Sequence, residues 1–493
     1  MGQHDPRKTV GQYPKTTAST PLVPVLLTRL VWLLWLASAA ALAARLWTGA
    51  SWTPSDLLVV DGLTLLLWTV VTFISGIVHS YSRRYMAGSR DITRFFTRTF
   101  AFTLSVALLV AADHVILFAA AWTAMGLLMA DLIGYVREWP QARAAGKSAR
   151  RYFLGSSTLL TAALLTLWSA TGATRVSELS AAVETLDAAT VLLVSGALLL
   201  AAMIQSALVP FHGWLLSSMT APTPASALMH AGFVNAGGIL LVRFAPVVTA
   251  EVWFLSLVVV VAATSALLGK LMKSVEPAVK RQLGCSTVGQ MGFMILQVGL
   301  GFFGAAIAHL ILHGFYKGYQ FLSSGDSVEH TSPTPASDSA GWSGLGAAVA
   351  VATALGGGAL FAFLTGEAAT SGGQVLVLLV VLTTLHATQN VVRRTSLPAL
   401  LRYVAVPLTF FPAILIYAGV YGLVKELLRT APAMEATVAM TPLHVAVAVA
   451  FLLAYVGVET GVLQRSDRLY VELTNAMRLP AATVVSPAEV SDE

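Results

Sequence analysis

Three ionisable residues follow one another at helical spacing in the apolar segment HLILHGFYKGYQFL. His309, His313 and Lys317 stand at positions i, i+4 and i+8, so they share one face of a helix. Histidine titrates near neutral pH, and a lysine that is removed from water can exchange its proton in the same range. Ionisable groups inside a membrane span commonly mark an ion path. This face is therefore predicted to relay protons along the bilayer normal.

The same trio allows structural and metal-binding interpretations. An intramembrane histidine can simply join two helices by a hydrogen bond, and a lysine can extend its amine to the membrane interface. Two histidines at i and i+4 suit a metal ion, but neither an HExxH pattern nor an obvious third ligand accompanies them. We expect no metal and no other cofactor in this chain.

Other polar residues in or beside apolar segments are weaker candidates. His230 falls just inside one apolar segment and His386 lies well inside another, whereas Lys280 begins a third. A packing role is an equal alternative for His230, and Lys280 is first of all a topology charge that could also extend a polar axis. Asp113 and His114 fall in a short turn between two apolar segments, where exposure at the membrane interface is expected.

The composition is that of a membrane protein. Of 493 residues, 56% are hydrophobic and 11% are charged, against about 25% charged in a soluble domain. The mean hydropathy is +0.75, and apolar runs long enough to cross a bilayer recur along the chain. The net charge of +6 comes from basic residues in short loops, so nucleic-acid binding is not expected. A single cysteine excludes an intramolecular disulfide and a cysteine-cluster metal site.

We predict an all-α polytopic membrane protein with about fourteen transmembrane helices. They are placed near residues 22–47, 58–80, 95–112, 114–135, 151–170, 190–209, 225–248, 253–270, 282–300, 303–323, 344–363, 374–391, 403–424 and 442–463. Basic residues concentrate in alternate loops, which favours an even number of helices with both termini cytoplasmic, in the cell's inner membrane. The expected division is a flexible cytoplasmic tail over 1–21, a transmembrane domain over 22–464 and a cytoplasmic tail over 465–493.

Proline and glycine clusters predict breaks within these helices. Pro210 is expected to break the sixth helix, while Pro222 and Pro224 begin the seventh. Residues 356–358 are all glycine and predict a second break, in the eleventh helix. Because backbone groups in lipid need internal partners, such breaks face protein or a water-filled cavity. A kink that serves packing alone is the alternative.

Two long stretches resemble a known superfamily. PFHGWLLSSMTAPTPASALMHAGFVNAGG, and KRQLGCSTVGQMGFM followed by HLILHGFYKGYQFLSSG, are similar to the antiporter-like subunits of respiratory complex I and Mrp antiporters. VDGLTLLLWTVVTFISGIVHSYSRRYM with the following RFF extends the similarity over roughly residues 58–325. Within the superfamily, the APTP.SALMHAG and CST.GQMGFM stretches resemble the DabB/MpsA branch most closely. The resemblance implies an antiporter-like subunit fold with broken helices.

The resemblance also implies roles for individual residues. Lys317 falls on the family's central channel lysine, His309 and His313 on its accompanying histidines, and His230 on the histidine after the PTPxSALxH motif.

Two hallmark positions depart from the family pattern. The helix glutamate of a WE pair is replaced by Thr123, and the lysine before the broken-helix proline is replaced by Gln205. The Lys–Glu pair of a full antiporter half-channel is therefore absent, and a neutral pair cannot shift a neighbour's pKa by charge. Ordinary complex I pumping is put in doubt.

The leading hypothesis is an ion-conducting subunit, with the proton as its ion, that energises the capture of CO2 or bicarbonate. The resemblance implies a DabA-like partner, a large zinc protein related to β-carbonic anhydrases, so the zinc and the hydration chemistry are expected in that partner. This chain would be a transporter or coupling subunit. The alternatives are a proton- or Na⁺-pumping subunit of a complex I or Mrp assembly, and a structural anchor whose channel has decayed.

Overall fold

Helices make up most of the chain in the computed structural model, which describes residues 21–49, 51–325, 344–366, 373–392, 399–429, 441–459, 466–479 and 483. One small antiparallel hairpin interrupts them, formed by β1 (Trp52–Ser55) and β2 (Leu58–Val60). The hairpin occupies the start of the second predicted helix, which therefore begins later than expected. The predicted fold class holds, with the hairpin as an addition.

The first part of the chain contains eight α-helices. They are α1 (Leu22–Thr48), α2 (Gly62–Tyr85), α3 (Ile92–Ala111), α4 (Val115–Ile133), α5 (Pro140–Thr171), α6 (Val176–Ala181), α7 (Ala188–Gln205) and α8 (Gly213–Ser217). Short 3-10 helices follow α6 and α8, at Ala182–Thr185 and Ser218–Thr220.

The remaining helices fall into a central and a C-terminal set. The central set is α9 (Thr223–Ala231), α10 (Ala236–Arg243), α11 (Ala245–Thr249), α12 (Val252–Val275), α13 (Val279–Gly299) and α14 (Phe303–Leu322). The C-terminal set is α15 (Gly344–Thr365), α16 (Gly373–Val392), α17 (Ala399–Leu428), α18 (Pro442–Glu459) and α19 (Asp467–Ala476).

Helices occur at each of the predicted positions, but not all of them qualify as membrane spans. Among the described residues, ten helical segments are long and apolar enough to cross a membrane. The helices α16 and α18 contain only shorter apolar stretches, Gly373–Thr388 and Pro442–Ala454. The more polar α13 and α14 do not reach the same hydropathy. The count of about fourteen spans is therefore not confirmed.

The sixth and seventh predicted helices are interrupted as their prolines suggest. The helix α7 ends at Gln205, and the chain passes Pro210 and the short α8 before α9 begins after Pro222. Proline lacks a backbone N–H, and its ring clashes with the preceding turn, so it commonly kinks or ends a helix. The span that follows is itself divided at Gly232, where the 3-10 turn Phe233–Asn235 separates α9 from α10.

The predicted break at residues 356–358 is wrong. The helix α15 runs without interruption through all three glycines. A Cβ on Gly357 would collide with Ile414, and a Cβ on Gly358 would collide with Val381. These glycines therefore let α16 and α17 approach α15 closely, which is a common use of small residues between membrane helices.

The helix α14 lies against α9, α13 and α17. Its contact with α9 depends on a glycine, because a Cβ on Gly314 would lie only 2.9 Å from the carbonyl oxygen of Ala231. This close approach places the face of α14 that carries the histidines and the lysine directly beside α9 and α13.

An ion pair fixes the end of α10 to two other helices. Arg243 Nη1 lies 2.5 Å from Asp61 Oδ2, and Arg243 Nη2 donates to Thr64 Oγ1 at 3.0 Å and to the Val110 carbonyl at 2.8 Å. Asp61 also caps α2 by accepting from the Thr64 N–H. Burial alone would raise the pKa of Asp61, but the charge and hydrogen bond of Arg243 and the bonds from Thr64 hold it below 3.8. We call this group the Arg243 clamp.

The expected exposure of Asp113 is wrong. Asp113 is only 2% exposed. Its carboxylate accepts hydrogen bonds from Arg175 Nε at 3.0 Å and from Ser177 N and Oγ at 2.9 and 2.8 Å. A buried carboxylate is tolerated when charge and hydrogen bonds compensate its lost hydration. Asp113 therefore joins the turn before α4 to the start of α6.

Candidate proton path

Lys317 is fully buried in the face of α14 that meets α9 and α13. Its exposed fraction is 0%, and its ammonium group donates to the carbonyl oxygen of Leu283 in α13 at 3.2 Å. Among the described residues, no carboxylate forms an ion pair with it. A lysine in such a place is costly to keep charged, so it is poised to exchange a proton with its surroundings.

The Leu283 carbonyl links Lys317 to His230. Thr287 Oγ1 donates to the same carbonyl at 2.9 Å, and Oγ1 lies 2.9 Å from His230 Nδ1. The imidazole of His230 stacks on the ring of Phe321, with centroids 4.2 Å apart. A continuous set of polar contacts thus joins α14, α13 and α9.

His313 and His309 continue the polar face of α14 away from Lys317. Their ring centroids are 5.8 Å apart, and His313 Nε2 is buried without a hydrogen-bond partner. His313 lies one helical turn from both His309 and Lys317. Both imidazoles line a cavity of about 410 Å³, which we call the histidine cavity. Its other polar lining residues are Gln290, Gln297, Thr383, Thr384, Tyr316 and Tyr417.

A second cavity, of about 580 Å³, lies at the start of α13 and includes Lys280. We call it the Lys280 cavity. Arg90, Tyr85 and Glu138 also line it. The Tyr85 hydroxyl donates to Thr223 Oγ1 at 3.3 Å, at the first residue of α9. This cavity therefore reaches the helix that carries His230.

The two cavities and the buried group follow the axis of α13 in order. Lys280 is at the first cavity, Thr287 is beside His230, and Gln290 and Gln297 line the histidine cavity. At 1.5 Å per residue, Lys280 and Gln297 are about 25 Å apart along the helix, which is most of a hydrocarbon core about 30 Å thick. Polar groups thus extend across most of the depth of a membrane.

Three further predicted path residues lie on α4, α7 and α16. The Thr123 hydroxyl donates to its own helix at Ala119, and Thr123 lines a largely apolar groove between α4 and α5. Gln205 is fully buried at the end of α7, with no hydrogen-bond partner for either side-chain atom. His386 Nε2 lies 2.7 Å from Lys270 Nζ, which joins α16 to α12. Among the described contacts, neither Thr123 nor Gln205 is hydrogen-bonded to the Lys317 group.

Sequence reasoning did not single out Thr287, Phe321 or Lys270. Thr287 follows Lys280 by seven residues, which places both on one face of a helix, and this spacing could have drawn attention to it. Phe321 follows Lys317 by four residues, which also places these two side chains on one face of a helix. Lys270 stands near the end of an apolar run, and its partner His386 is 116 residues away in sequence.

No group of three or more His, Cys, Asp or Glu side chains in the described part of the chain could hold a metal ion.

Comparison with known proteins finds two matches to family models. Residues 112–345 match the family described as "NADH:quinone oxidoreductase/Mrp antiporter, TM", and residues 52–96 match "NADH-Ubiquinone oxidoreductase (complex I), chain 5 N-terminus". The first match contains His230, Thr287 and the trio on α14.

Curated relatives carry a more specific name. The "Probable inorganic carbon transporter subunit DabB1" of Halothiobacillus neapolitanus is 40% identical over 55% of this chain and 50% of its own length. The corresponding DabB subunit of Bacillus subtilis is 38% identical over 55% of this chain and 54% of its own length. The chain spans about half the length of the curated relatives it matches.

A solved structure extends the likeness beyond the sequence match. The Mrp complex from Dietzia sp. DQ12-45-1b superposes with a TM-score of 0.56 at 22% identity, over 93% of this chain and 50% of that one. This likeness concerns the fold alone. Together with the family matches, it confirms a multi-span helical membrane protein with an antiporter-like fold.

Proposed function

We propose that this chain is a proton-conducting membrane subunit that energises the uptake of CO2 or bicarbonate. The proposal starts from its family, because the chain belongs to the antiporter-like superfamily of NADH:quinone oxidoreductase and Mrp antiporter subunits. The observation that carries the proposal is the sequence of polar groups along α13 and α14 between the two cavities. The Lys280 cavity, the Lys317–Thr287–His230 contacts and the histidine cavity occur in that order.

Each polar group in this series has a distinct role in the proposed path. Lys280 and the hydroxyl groups around it would collect protons at one end. Lys317 and His230 would exchange them at the buried centre, and His313 would pass them to His309. The histidine cavity would then deliver them at the other end. Gln205 and Thr123 would take secondary parts, because their described contacts do not connect them to the centre.

The direction of proton movement would be set by the membrane potential. One charge moved through 100 mV supplies about 2.3 kcal/mol, which displaces an equilibrium by roughly fiftyfold. That is enough to make a coupled hydration of CO2 effectively one-way. The absence of a carboxylate beside Lys317 among the described residues suits a partial channel that works with another subunit.

The names of the curated relatives support inorganic carbon as the transported substrate. We propose a DabA-like zinc protein as the partner, with the zinc and the hydration chemistry in that protein, and the cytoplasmic membrane with both termini inside as the location. The runner-up is a proton- or Na⁺-pumping subunit of a complex I or Mrp assembly. The family descriptions and the Mrp superposition favour that alternative equally at the level of fold.

The experiment is co-expression with the DabA-like protein in cells that lack carbonic anhydrase. Growth in air and ¹⁴C-bicarbonate uptake are measured with and without an uncoupler. We expect uptake that the uncoupler abolishes. Uptake that persists in the uncoupler overturns the energised mechanism, and the absence of any uptake beside a stable complex favours the pump alternative.

Two variants connect uptake to the candidate path. Lys317→Met and His313→Gln should each abolish uptake while the complex still assembles. Lys147→Met is the matched control, because Lys147 is exposed on α5, and His114→Gln is the control for the histidine. Full uptake in both path variants would favour the structural-anchor interpretation.

A further inference from the structure

We infer that Thr287 is a positioning residue that holds His230 with its hydrogen on Nδ1 and leaves Nε2 as the open proton acceptor. The role of this arrangement in proton passage rests on the proposed function. The arrangement itself follows from the contacts of three side chains and one carbonyl, and it can be measured without any transport assay.

The hydrogen of the threonine hydroxyl is already committed. Thr287 Oγ1 donates to the Leu283 carbonyl at 2.9 Å, and a hydroxyl has only one hydrogen to donate. Oγ1 can then only accept from His230 Nδ1, which lies 2.9 Å away. Nδ1 therefore carries a hydrogen in both the neutral and the charged imidazole. In the neutral ring, Nε2 is the nitrogen with a free lone pair.

The surroundings of the other ring nitrogen support the same tautomer. His230 Nε2 is buried and has no hydrogen-bond partner. A buried N–H without an acceptor is rarer in proteins than an acceptor without a donor, so the tautomer with a bare Nε2 is the less costly one. The stacking of the imidazole on Phe321, at an interplanar angle of 18°, further restricts the ring to one plane.

The Leu283 carbonyl couples this arrangement to Lys317. Both Thr287 Oγ1 and Lys317 Nζ donate to it, at 2.9 and 3.2 Å. The same oxygen therefore orients the threonine hydroxyl and anchors the lysine. Thr287 thus leaves one unprotonated imidazole nitrogen in the same polar cluster as the buried amine, and under the proposed function that nitrogen accepts a proton released by Lys317.

The test is ¹⁵N magic-angle-spinning NMR of the histidine-labelled protein, assembled with its partner in lipid bilayers. The chain has ten histidines, so His230 is assigned from the signals that disappear in His230→Gln. We expect a protonated Nδ1 and an unprotonated Nε2 in the wild type at alkaline pH. Thr287→Val keeps the shape of the side chain but removes the hydroxyl, so it should move hydrogen to Nε2 or mix the two tautomers. Thr287→Ser should restore the wild-type signals.

Thr264→Val is the matched control, because the Thr264 hydroxyl also donates to its own helix, at Val260, and has no hydrogen bond with a histidine in the described part of the chain. It should leave the His230 signals unchanged. The inference is overturned if Nε2 is protonated in the wild type, or if Thr287→Val leaves the spectrum unchanged. Unaltered signals from the other nine histidines establish that the valine variant folds.

Transport supplies a second and separate readout. Thr287→Val should lower uncoupler-sensitive uptake by about three- to tenfold, the loss that one buried hydrogen bond predicts, and Thr287→Ser should rescue it. If the wild type conducts no protons, the proposed function fails while the NMR result stands. If uptake is normal in a variant with an altered tautomer, the positioning role fails while the proposed function stands.

Discussion

Removal of the Arg243 guanidinium, as in Arg243→Met, is expected to destabilise the half-span that follows His230. The guanidinium bonds Asp61 at the start of α2, Thr64 in its first turn and the Val110 carbonyl near the end of α3. Methionine keeps the apolar stem but leaves the Asp61 carboxylate without its counter-charge. The end of α10 then loses its attachment to two other helices.

The magnitude follows from the burial of the two partners. Removing one member of a buried ion pair costs about 3–5 kcal/mol, whereas exposed pairs contribute about 0–1 kcal/mol. The side chains of Arg243 and Asp61 are 14% and 23% exposed, so we expect a loss of about 2–4 kcal/mol. Asp61→Asn together with Arg243→Met should recover part of that loss, because the uncompensated charge is then removed.

The assay is the free energy of unfolding in mixed detergent micelles, followed by helical circular dichroism. Arg429→Met is the matched control, because the Arg429–Glu426 side chains are 73% and 66% exposed, and it should cost less than about 1 kcal/mol. Equal losses for Arg243→Met and Arg429→Met would refute the reasoning. A double variant that is no more stable than Arg243→Met alone would also contradict it.

Three further predictions concern pH, the outlying candidates and helix packing. The folded-state pKa of Asp61 is held below 3.8. The ionised carboxylate therefore stabilises the fold above pH 4, and this stabilisation is lost as the pH falls through the folded pKa. The difference in unfolding free energy between the wild type and Arg243→Met should narrow below pH 4. Thr123→Val should leave carbon uptake within about twofold of the wild type, since the described hydrogen bond of its hydroxyl is to its own helix and such local bonds contribute little. A large loss would place Thr123 on the path. Gly314→Ala should lower the unfolding free energy by about 1–3 kcal/mol through the clash with the Ala231 carbonyl. Gly155→Ala, at an open position, should be neutral or stabilising. Equal effects of the two substitutions would refute the close approach of α9 and α14.

The helices and the polar face of α14 were predictable because hydropathy and helical spacing are local properties. Burial of Asp113 was not, because its counter-charge Arg175 lies far along the chain and meets it only in the fold. The glycines at 356–358 were misinterpreted as a break because glycine serves both flexibility and close packing, and only the neighbours Ile414 and Val381 decide between them.

The contact of Thr287 with His230 was not predicted, for a related reason. A threonine in a membrane helix usually bonds its own backbone, and this one does so as well. Its second contact, with His230, arises from the packing of α9 against the other helices of the bundle and leaves no trace in the local sequence. The same is true of the Lys270–His386 contact, whose partners are 116 residues apart.

Proton flux through Lys317 is tested most directly in liposomes that contain the complex with its partner and an internal pH dye. A K⁺ diffusion potential, negative inside, drives cations inward. The wild type and Lys147→Met should acidify the lumen at the same rate, and Lys317→Met should fall to the rate of protein-free liposomes. Acidification by Lys317→Met at the wild-type rate would contradict the account, as would ²²Na⁺ entry without acidification in the wild type.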